Sequence, residues 1–429
     1  MRGFSRSHVM SREKFLPPLS VFEAVRARLR LVRRTLSVGL FSLAVGIATH
    51  TLFPLLRWLQ RRRIARGETI WLDDQLGPRP RQRFRGLPPV PADLSPRTGR
   101  DRKARHMRLA EYPSTRYAFA YRRPPISGNV INGLGETRRR RAKHVFFGDG
   151  YRRAWGQLDW YFQVMEPTAN HRVITRLFWQ DRRRLGPVAG RRVAADPGEM
   201  SARIKRAARE RGAALVGITR LTDEMRYEGF ETPFVYAISV AVPMDRETML
   251  YTPSDRSSLE IMRMYSDVNR VAIELAAHIR GLGWPARAST NISPDASVEV
   301  LHLPIAIAAG LGELGKHGSI ITPELGSNLR LATVLTDLPL EIDTPREVGV
   351  DDFCASCRIC ESNCPPHAIL PAKQLVRGVR RWYVDFDKCV PYFAKTAGCG
   401  ICIQVCPWSE PGRGLLLAER LRARRARAS

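Results

Sequence analysis

The sequence predicts a mixed α+β or α/β domain followed by a small cysteine-dense domain, with an apolar helix near the N-terminus. Helix and strand patterns alternate from about residue 200, and all eight cysteines fall between Cys354 and Cys406. Residues 36–56 form one apolar run without Asp, Glu, Lys or Arg.

That run would span about 30 Å as a helix, the thickness of a bilayer core. Arg33 and Arg34 precede it and Arg57, Arg61, Arg62 and Arg63 follow, so flanking charge does not orient it. Arg33-Arg34-Thr35-Leu36 resembles a twin-arginine export signal, but no small-residue cleavage site follows, which favours an uncleaved anchor. The competing reading is a buried core helix, to which His50 and Pro54 lend some weight. Residues 1–70 are therefore expected to form a basic, membrane-anchored N-terminus. The rest of the chain is expected on the cytoplasmic or periplasmic side, with the cytoplasmic favoured.

Charge divides the chain. The first 220 residues hold 47 Lys and Arg against 16 Asp and Glu, and the rest holds 23 against 25. A cationic half suits anionic lipid, an acidic electron donor such as a ferredoxin or flavodoxin, or nucleic acid, and charge alone does not choose. Residues 71–195 are rich in Arg and Pro, weakly periodic, and include the basic run 138–141. They are expected to lie partly extended over the core with their charges solvated.

Regular elements follow. Residues 201–211 read as a helix, 213–219 as a strand, and 234–242 as an apolar, β-branched strand ending at Pro243. Residues 257–282 read as a long helix whose apolar stripe runs through Met262, Tyr265, Val268, Ala272, Leu275 and Ile279, spaced by three and four. Gly310-Leu-Gly-Glu-Leu-Gly315 fits the G-x-G-x-x-G pattern of nicotinamide-binding loops. Such a loop follows a strand and opens a helix. Here a helix (303–309) precedes and a strand (319–322) follows, so nicotinamide binding is rejected. The glycines Gly310, Gly312, Gly315 and Gly318 still require close approach to the backbone, as by a large flat cofactor.

The cysteines carry the strongest signal. Cys354-x-x-Cys357-x-x-Cys360-x-x-x-Cys364-Pro365 is a ferredoxin-type ligand run, and Cys389 with Cys399-x-x-Cys402-x-x-x-Cys406-Pro407 is a second, stretched one. A cubane cluster takes three thiolates from one run, and the cysteine before Pro ligates the other cluster. One [4Fe–4S] cluster is thus assigned to Cys354, Cys357, Cys360 and Cys406, the other to Cys364, Cys389, Cys399 and Cys402. Two zinc sites are the alternative, but zinc has no use for the Cys-Pro endings. Crowding into one stretch of a 429-residue chain argues against a disulfide framework. The expected divisions are 196–345 for a catalytic domain, 346–412 for a ferredoxin-like two-cluster domain and 413–429 for a basic tail.

Between the helical and cysteine-rich parts, the stretch Ala309-Gly-Leu-Gly-Glu-Leu-Gly-Lys-His-Gly318 is followed by Ile321-Thr-Pro-Glu-Leu-Gly326, Arg330 and Thr336-Asp-Leu-Pro-Leu340. Phe353-Cys354, Trp382-x-Val384-Asp385 and the closing Cys399-Gly-Ile-Cys-Ile-Gln-Val-Cys-Pro-Trp408 complete the order. Over residues 200–411 this series resembles the corrinoid-dependent reductive dehalogenases. The sister family, epoxyqueuosine reductase, shares the glycine stretch and the double cluster but usually adds a helical-repeat tail. The resemblance implies a nitroreductase-like core binding cobalamin with its lower base displaced, and an organohalide substrate, expected to be aromatic. No His here has Asp two positions before it, as a protein ligand to cobalt in the common corrinoid motif would require. It implies further that Tyr265 is the proton donor, with Asn291 beside the substrate and Arg330 or Lys316 as the cationic partner. Gly310, Gly312, Gly315, Lys316, His317 and Gly318 would line the corrinoid. The alternatives are tRNA modification by the sister chemistry, which the cationic half would suit and the apolar run would not, and a non-catalytic electron-transfer protein. Binding of nucleic acid is not expected.

Overall fold

The computed structural model describes residues 127–143, 173, 185–253, 255–290, 299–395 and 398–428. All of these fall in one compact unit, Ala48–Ser429. The apolar run 36–56 lies outside the described residues, among which no helix is long and apolar enough to cross a membrane.

The helix expected at 201–211 begins earlier, because Asp196 caps it. The Asp196 carboxylate accepts from the N–H groups of Gly198 (2.8 Å) and Glu199 (3.3 Å), and Pro197 supplies a pre-set first turn. After α1 (Gly128–Asn132), this helix is α2 (Pro197–Glu210), and it buries Met200, Ile204, Ala207 and Ala208. Strands β1 (Leu215–Arg220) and β2 (Tyr236–Pro243) follow, then a short helix α3 (Arg246–Met249) and the long α4 (Asp255–Gly281). Next come β3 (Ala286–Ser289), α5 (His302–Ala308), a two-residue hairpin β4 (Glu313–Leu314) and β5 (Ile320–Ile321), and β6 (Leu329–Thr336).

The four longer strands form one antiparallel sheet in the order β1-β2-β6-β3. It is covered on both faces. Ile238, Val240, Val242, Ala332 and Val334 point to α2 and α4, meeting Val268, Ala272, Leu275 and Ile279. Ala237, Ala241, Leu329 and Leu335 point the other way, toward α5. Double coverage explains why β2 reads as a continuous apolar run and not an alternating one. The glycine stretch sits between α5 and β5, confirming the element order that excluded a nicotinamide loop.

Gly217 on β1 faces the end of α5, where a Cβ would run into the Ala309 carbonyl oxygen and the Leu311 side chain. Gly217→Ala is expected to cost about 1–3 kcal/mol through forced repacking, read as a lowered melting temperature of the intact protein.

The C-terminal part is built of short pieces: α6 (Val350–Ser356), α7 (Ile359–Asn363), a hairpin β7 (Gln374–Val376) and β8 (Val379–Arg381), α8 (Phe386–Lys395) and α9 (Ile401–Gln404). A 3₁₀ turn (Pro407–Ser409) then leads to α10 (Arg413–Ala428). Residues 127–143 are stitched onto this part. Asn129 Oδ1 accepts from the Tyr383 hydroxyl and the Phe386 N–H, each at 2.8 Å, and the Ser127 hydroxyl donates to Asp387. The basic run 138–141 is not simply solvated. Arg139 pairs with Glu224, Arg140 with Glu136, and Arg141 with Asp223 and Glu231.

Candidate functional site

Cys354 lies on α6 and Cys357 caps its end; Cys360 lies on α7 and Cys364 caps it. Cys389 is on α8, Cys399 precedes α9, Cys402 is on it, and Cys406 opens the 3₁₀ turn. All eight are free of disulfides. Their mutual electrostatic influence sorts them into two sets. Cys354, Cys357, Cys360 and Cys406 act on one another, as do Cys364, Cys389, Cys399 and Cys402. The sets adjoin where Cys360 acts weakly on Cys402. Electrostatically, Cys364 falls with Cys389, Cys399 and Cys402, and Cys406 with Cys354, Cys357 and Cys360.

Burial dominates the thiols' chemistry. It pushes Cys354 up to about 11, Cys360 and Cys389 up to about 12, and Cys399, Cys402 and Cys406 above their ordinary range. A thiolate in such surroundings needs strong compensation, which metal ligation supplies. Backbone N–H groups are already aimed at five of the sulfurs: Lys316 at Cys354, Glu361 at Cys360, Ile401 at Cys399, Trp408 at Cys406, and Ala368 at Cys364 (3.3 Å). N–H donors to ligand sulfur tune iron–sulfur centres, so this donor set fits two clusters.

The glycine stretch is joined to the first set by side chains whose roles the sequence did not reveal. Lys316 is only 1% exposed. Its Nζ donates to the Cys357 carbonyl at 2.9 Å, lies 3.9 Å from a Glu361 carboxylate oxygen, and sits 5.1 Å from the Trp382 ring centre. In the fold the Lys316 ammonium, expected beside Tyr265 or the corrinoid, faces the cysteine loop. Glu313 caps α6, accepting from the N–H groups of Val348, Gly349 (2.8 Å), Val350 and Asp351. The signal for this was an acid placed inside a glycine run, ahead of a helix that lacks a capping side chain of its own.

The close approach expected at the glycines exists, but protein makes it. A Cβ at Gly310 would strike the Thr344 carbonyl, one at Gly312 the Ile321 carbonyl, and one at Gly315 the Ile321 side chain; one at Gly318 would press on Val384. On the side where a Cβ would stand, each glycine is approached by its own chain. His317 is buried, with Nδ1 accepting from the Ser319 N–H (3.2 Å) and Nε2 3.3 Å from the Ser327 hydroxyl.

Tyr265 departs from the stripe on which it was counted. Met262, Val268, Ala272, Leu275 and Ile279 are buried, whereas Tyr265 is partly exposed. The Arg330 guanidinium stands 4.9 Å from its ring centre. Arg330 reaches it from β6, where it pairs with Val242. Its Nε is buried without a hydrogen-bond partner among the described residues. Asn291 lies outside the described residues. The second cysteine set is tied to this neighbourhood. The Thr252 hydroxyl donates to the Cys399 carbonyl (2.8 Å), and Gln404 on α9 donates to Asn328 (2.9 Å), two residues before Arg330. Tyr265 itself packs with Met244, Met249 and Ile261.

On the opposite face of the sheet, Ser239, Thr333 and Ser289 are in register across β2, β6 and β3. His302 Nδ1 lies 2.8 Å from the Thr333 hydroxyl. The Ser239 and Ser289 hydroxyls and His302 Nε2 are buried without hydrogen-bond partners among the described residues. Burial pushes the His302 and His317 imidazoles down to about 4. Unfolding therefore takes up protons between that value and the ordinary 6.5. The stability tied to both neutral rings is complete above about pH 6.5 and is lost as the pH falls toward 4. Urea unfolding across that range is expected to show the loss, with a shallower slope in His302→Gln. A solvent-open depression of about 540 Å³ beside α2, lined in part by Lys205, Arg206 and Asp343, holds none of the candidate site residues.

Comparison with known proteins agrees with this geometry. Residues 353–409 match the 4Fe-4S dicluster domain family. The tetrachloroethene reductive dehalogenase of Sulfurospirillum multivorans is 29% identical over 262 residues, covering 50% of this chain and 51% of that protein. The epoxyqueuosine reductase of Aliivibrio fischeri is 33% identical over 130 residues, covering 26% of this chain and 32% of that protein. The solved structure of the catabolic reductive dehalogenase NpRdhA superposes with a TM-score of 0.57 at 28% identity, covering 73% of this chain and 48% of its own. A reductive dehalogenase structure described as suggesting a mechanism for B12-dependent dehalogenation superposes at 0.53 and 27%, covering 72% of this chain and 47% of its own. The chain spans about half the length of these dehalogenases. Sequence and fold together make it a homologue of the reductive dehalogenases, with epoxyqueuosine reductase as the sister family.

Proposed function

We propose that the chain is the corrinoid- and iron–sulfur-dependent unit of a reductive dehalogenase that removes halogen from an organohalide. The observation that carries the reading is the Arg330 guanidinium over the Tyr265 ring, beside a protein segment holding two four-thiol sets. Cys354, Cys357, Cys360 and Cys406 would hold one [4Fe–4S] cluster and Cys364, Cys389, Cys399 and Cys402 the other. The division into a catalytic part at 196–345 and a two-cluster part at 346–412 belongs to the same reading, as does an N-terminal anchor at 36–56.

The described residues also fit a corrinoid, whose rim carries amide groups. Arg330 Nε, on the sheet face that carries Tyr265, is a buried polar atom that lacks a partner among the described residues, and such an atom costs free energy until a ligand or water satisfies it. When bound, the corrinoid supplies reductive cleavage of the carbon–halogen bond, with electrons drawn through the clusters. The chain supplies the proton. The Tyr265 phenol donates it to the carbon that loses halogen, and the Arg330 cation favours the phenolate left behind. Asn291, by resemblance, would contact the substrate.

Iron, sulfide and cobalt are the first quantities to measure, on anaerobically reconstituted protein. About eight iron and one cobalt per chain, with halide release from a haloaromatic or a chloroethene, is the expected result. Full iron with no cobalt uptake would leave only an electron-transfer protein. Cobalt uptake without halide release from any organohalide, but with epoxide reduction on a tRNA stem loop, would move the chain to the sister chemistry.

A further inference from the structure

We propose that the outer face of α10 is the docking surface for an acidic one-electron donor protein, which reduces the cluster held by Cys354, Cys357, Cys360 and Cys406. The inference rests on the cluster assignment above and adds where electrons enter.

The helix is fixed directly over the first cysteine set. Leu417, Ala418 and Leu421 on its inner side join one apolar cluster with Cys354, Cys406 and Trp408. Gly414 lies so close to the Pro323 and Trp408 carbonyls that no Cβ would fit, and Gly349, at the start of α6, faces Leu421. A partner on the outer side would be one helix thickness, about 10–12 Å, from these cysteines.

The outer side is cationic. Arg413 is paired with Glu410, and Arg425 with Asp352 and Glu347. Arg420, Arg422, Arg424 and Arg427 are exposed, with no ion-pair partner among the described residues. Arg420, Arg424 and Arg427 follow helical spacing along one stripe and Arg422 lies on the opposite flank. Leu415 and Leu416, 52% and 55% exposed, lie on the outer side in the first turn, ahead of the arginines, and Glu419 is an exposed carboxylate between the two flanks. Two exposed apolar side chains next to these four arginines, against one exposed carboxylate, suit a small transient protein interface with an acidic partner. A membrane-surface helix needs a broad apolar face, whereas this helix buries its remaining apolar residues inward. Charge complementarity then selects an acidic protein. In each encounter one electron leaves the donor and enters the cluster, and no bond or proton moves.

The test replaces Arg420, Arg422, Arg424 and Arg427 with Gln in the full iron-loaded chain. Cluster reduction is followed by stopped flow with a reduced acidic [2Fe–2S] ferredoxin as the probe, and separately with titanium(III) citrate. The expected result is a fall on the order of tenfold or more in the ferredoxin rate at low salt, a flatter salt dependence, and no change with titanium. An unchanged ferredoxin rate overturns the proposal, as does an equal fall with both reductants. Sedimentation with phosphatidylserine vesicles that the variant loses, at unchanged ferredoxin rate, assigns the face to a membrane and also overturns it. Iron content of the parent chain tests the cluster assignment independently, so full iron with an unchanged ferredoxin rate rejects the docking face alone.

Discussion

Replacing Tyr265 with Phe is expected to leave iron and cobalt content unchanged and to lower turnover by about 10²–10⁴-fold, the usual worth of a positioned proton donor. The substitution removes one hydroxyl and keeps the ring. Packing against Met244, Met249 and Ile261 therefore persists, as does the stack under Arg330. A core tyrosine would respond differently: with its ring retained and its site partly exposed, loss of the hydroxyl would change stability little and turnover not at all. Unchanged turnover with full cofactor would thus return Tyr265 to a packing role. Arg330→Gln is expected to lower turnover as well, and the double variant to fall by less than the product of the single effects, because one residue acts through the other. Independent multiplication of the two losses would show that the stacked pair does not function as a unit.

The second large effect concerns iron. Cys399→Ala is expected to bring iron from about eight to about four per chain, since a cubane cluster takes four protein thiolates. Cys399 belongs to the set with Cys364, Cys389 and Cys402. Cys364→Ala should therefore remove the same cluster, although Cys364 lies in the other sequence run, and Cys406→Ala should remove the opposite one. Paramagnetic resonance of the reduced proteins distinguishes the outcomes. The signal surviving in Cys399→Ala and Cys364→Ala should be the same, and the one surviving in Cys406→Ala should differ. A surviving signal in Cys406→Ala that matches Cys399→Ala, with Cys364→Ala different, would break the crossed assignment.

Local chemistry made much of this legible. The stripe on α4, the Cys-Pro endings and the helix-before-glycine order all depend on residues a few positions apart. The long-range stitching was not legible. Asn129 meets Tyr383 and Phe386 across more than 250 residues, and nothing in a short polar segment announces so distant a partner. The glycines' protein neighbours were hidden for a related reason. Sequence says that backbone must be approached, but the approaching carbonyls of Thr344 and Ile321 appear only once the chain is folded. For Lys316 the resemblance implied a cationic partner or a corrinoid contact, and its burial against the Cys357 carbonyl follows from the tertiary fold alone. Tyr265 sat at a core spacing, yet the folded chain leaves it partly exposed, with Arg330 over its ring.

Lys316 has one more consequence, for the life history of the protein. A buried ammonium is tolerated only while its oxygen partners hold still. Those partners, Cys357 and Glu361, belong to a loop that iron would brace. A chain that fails to acquire iron, or loses it to oxygen, is left with a stranded charge beneath the glycine segment, and that segment should loosen. Proteases would then meet an open strand in unloaded molecules and a closed one in loaded molecules.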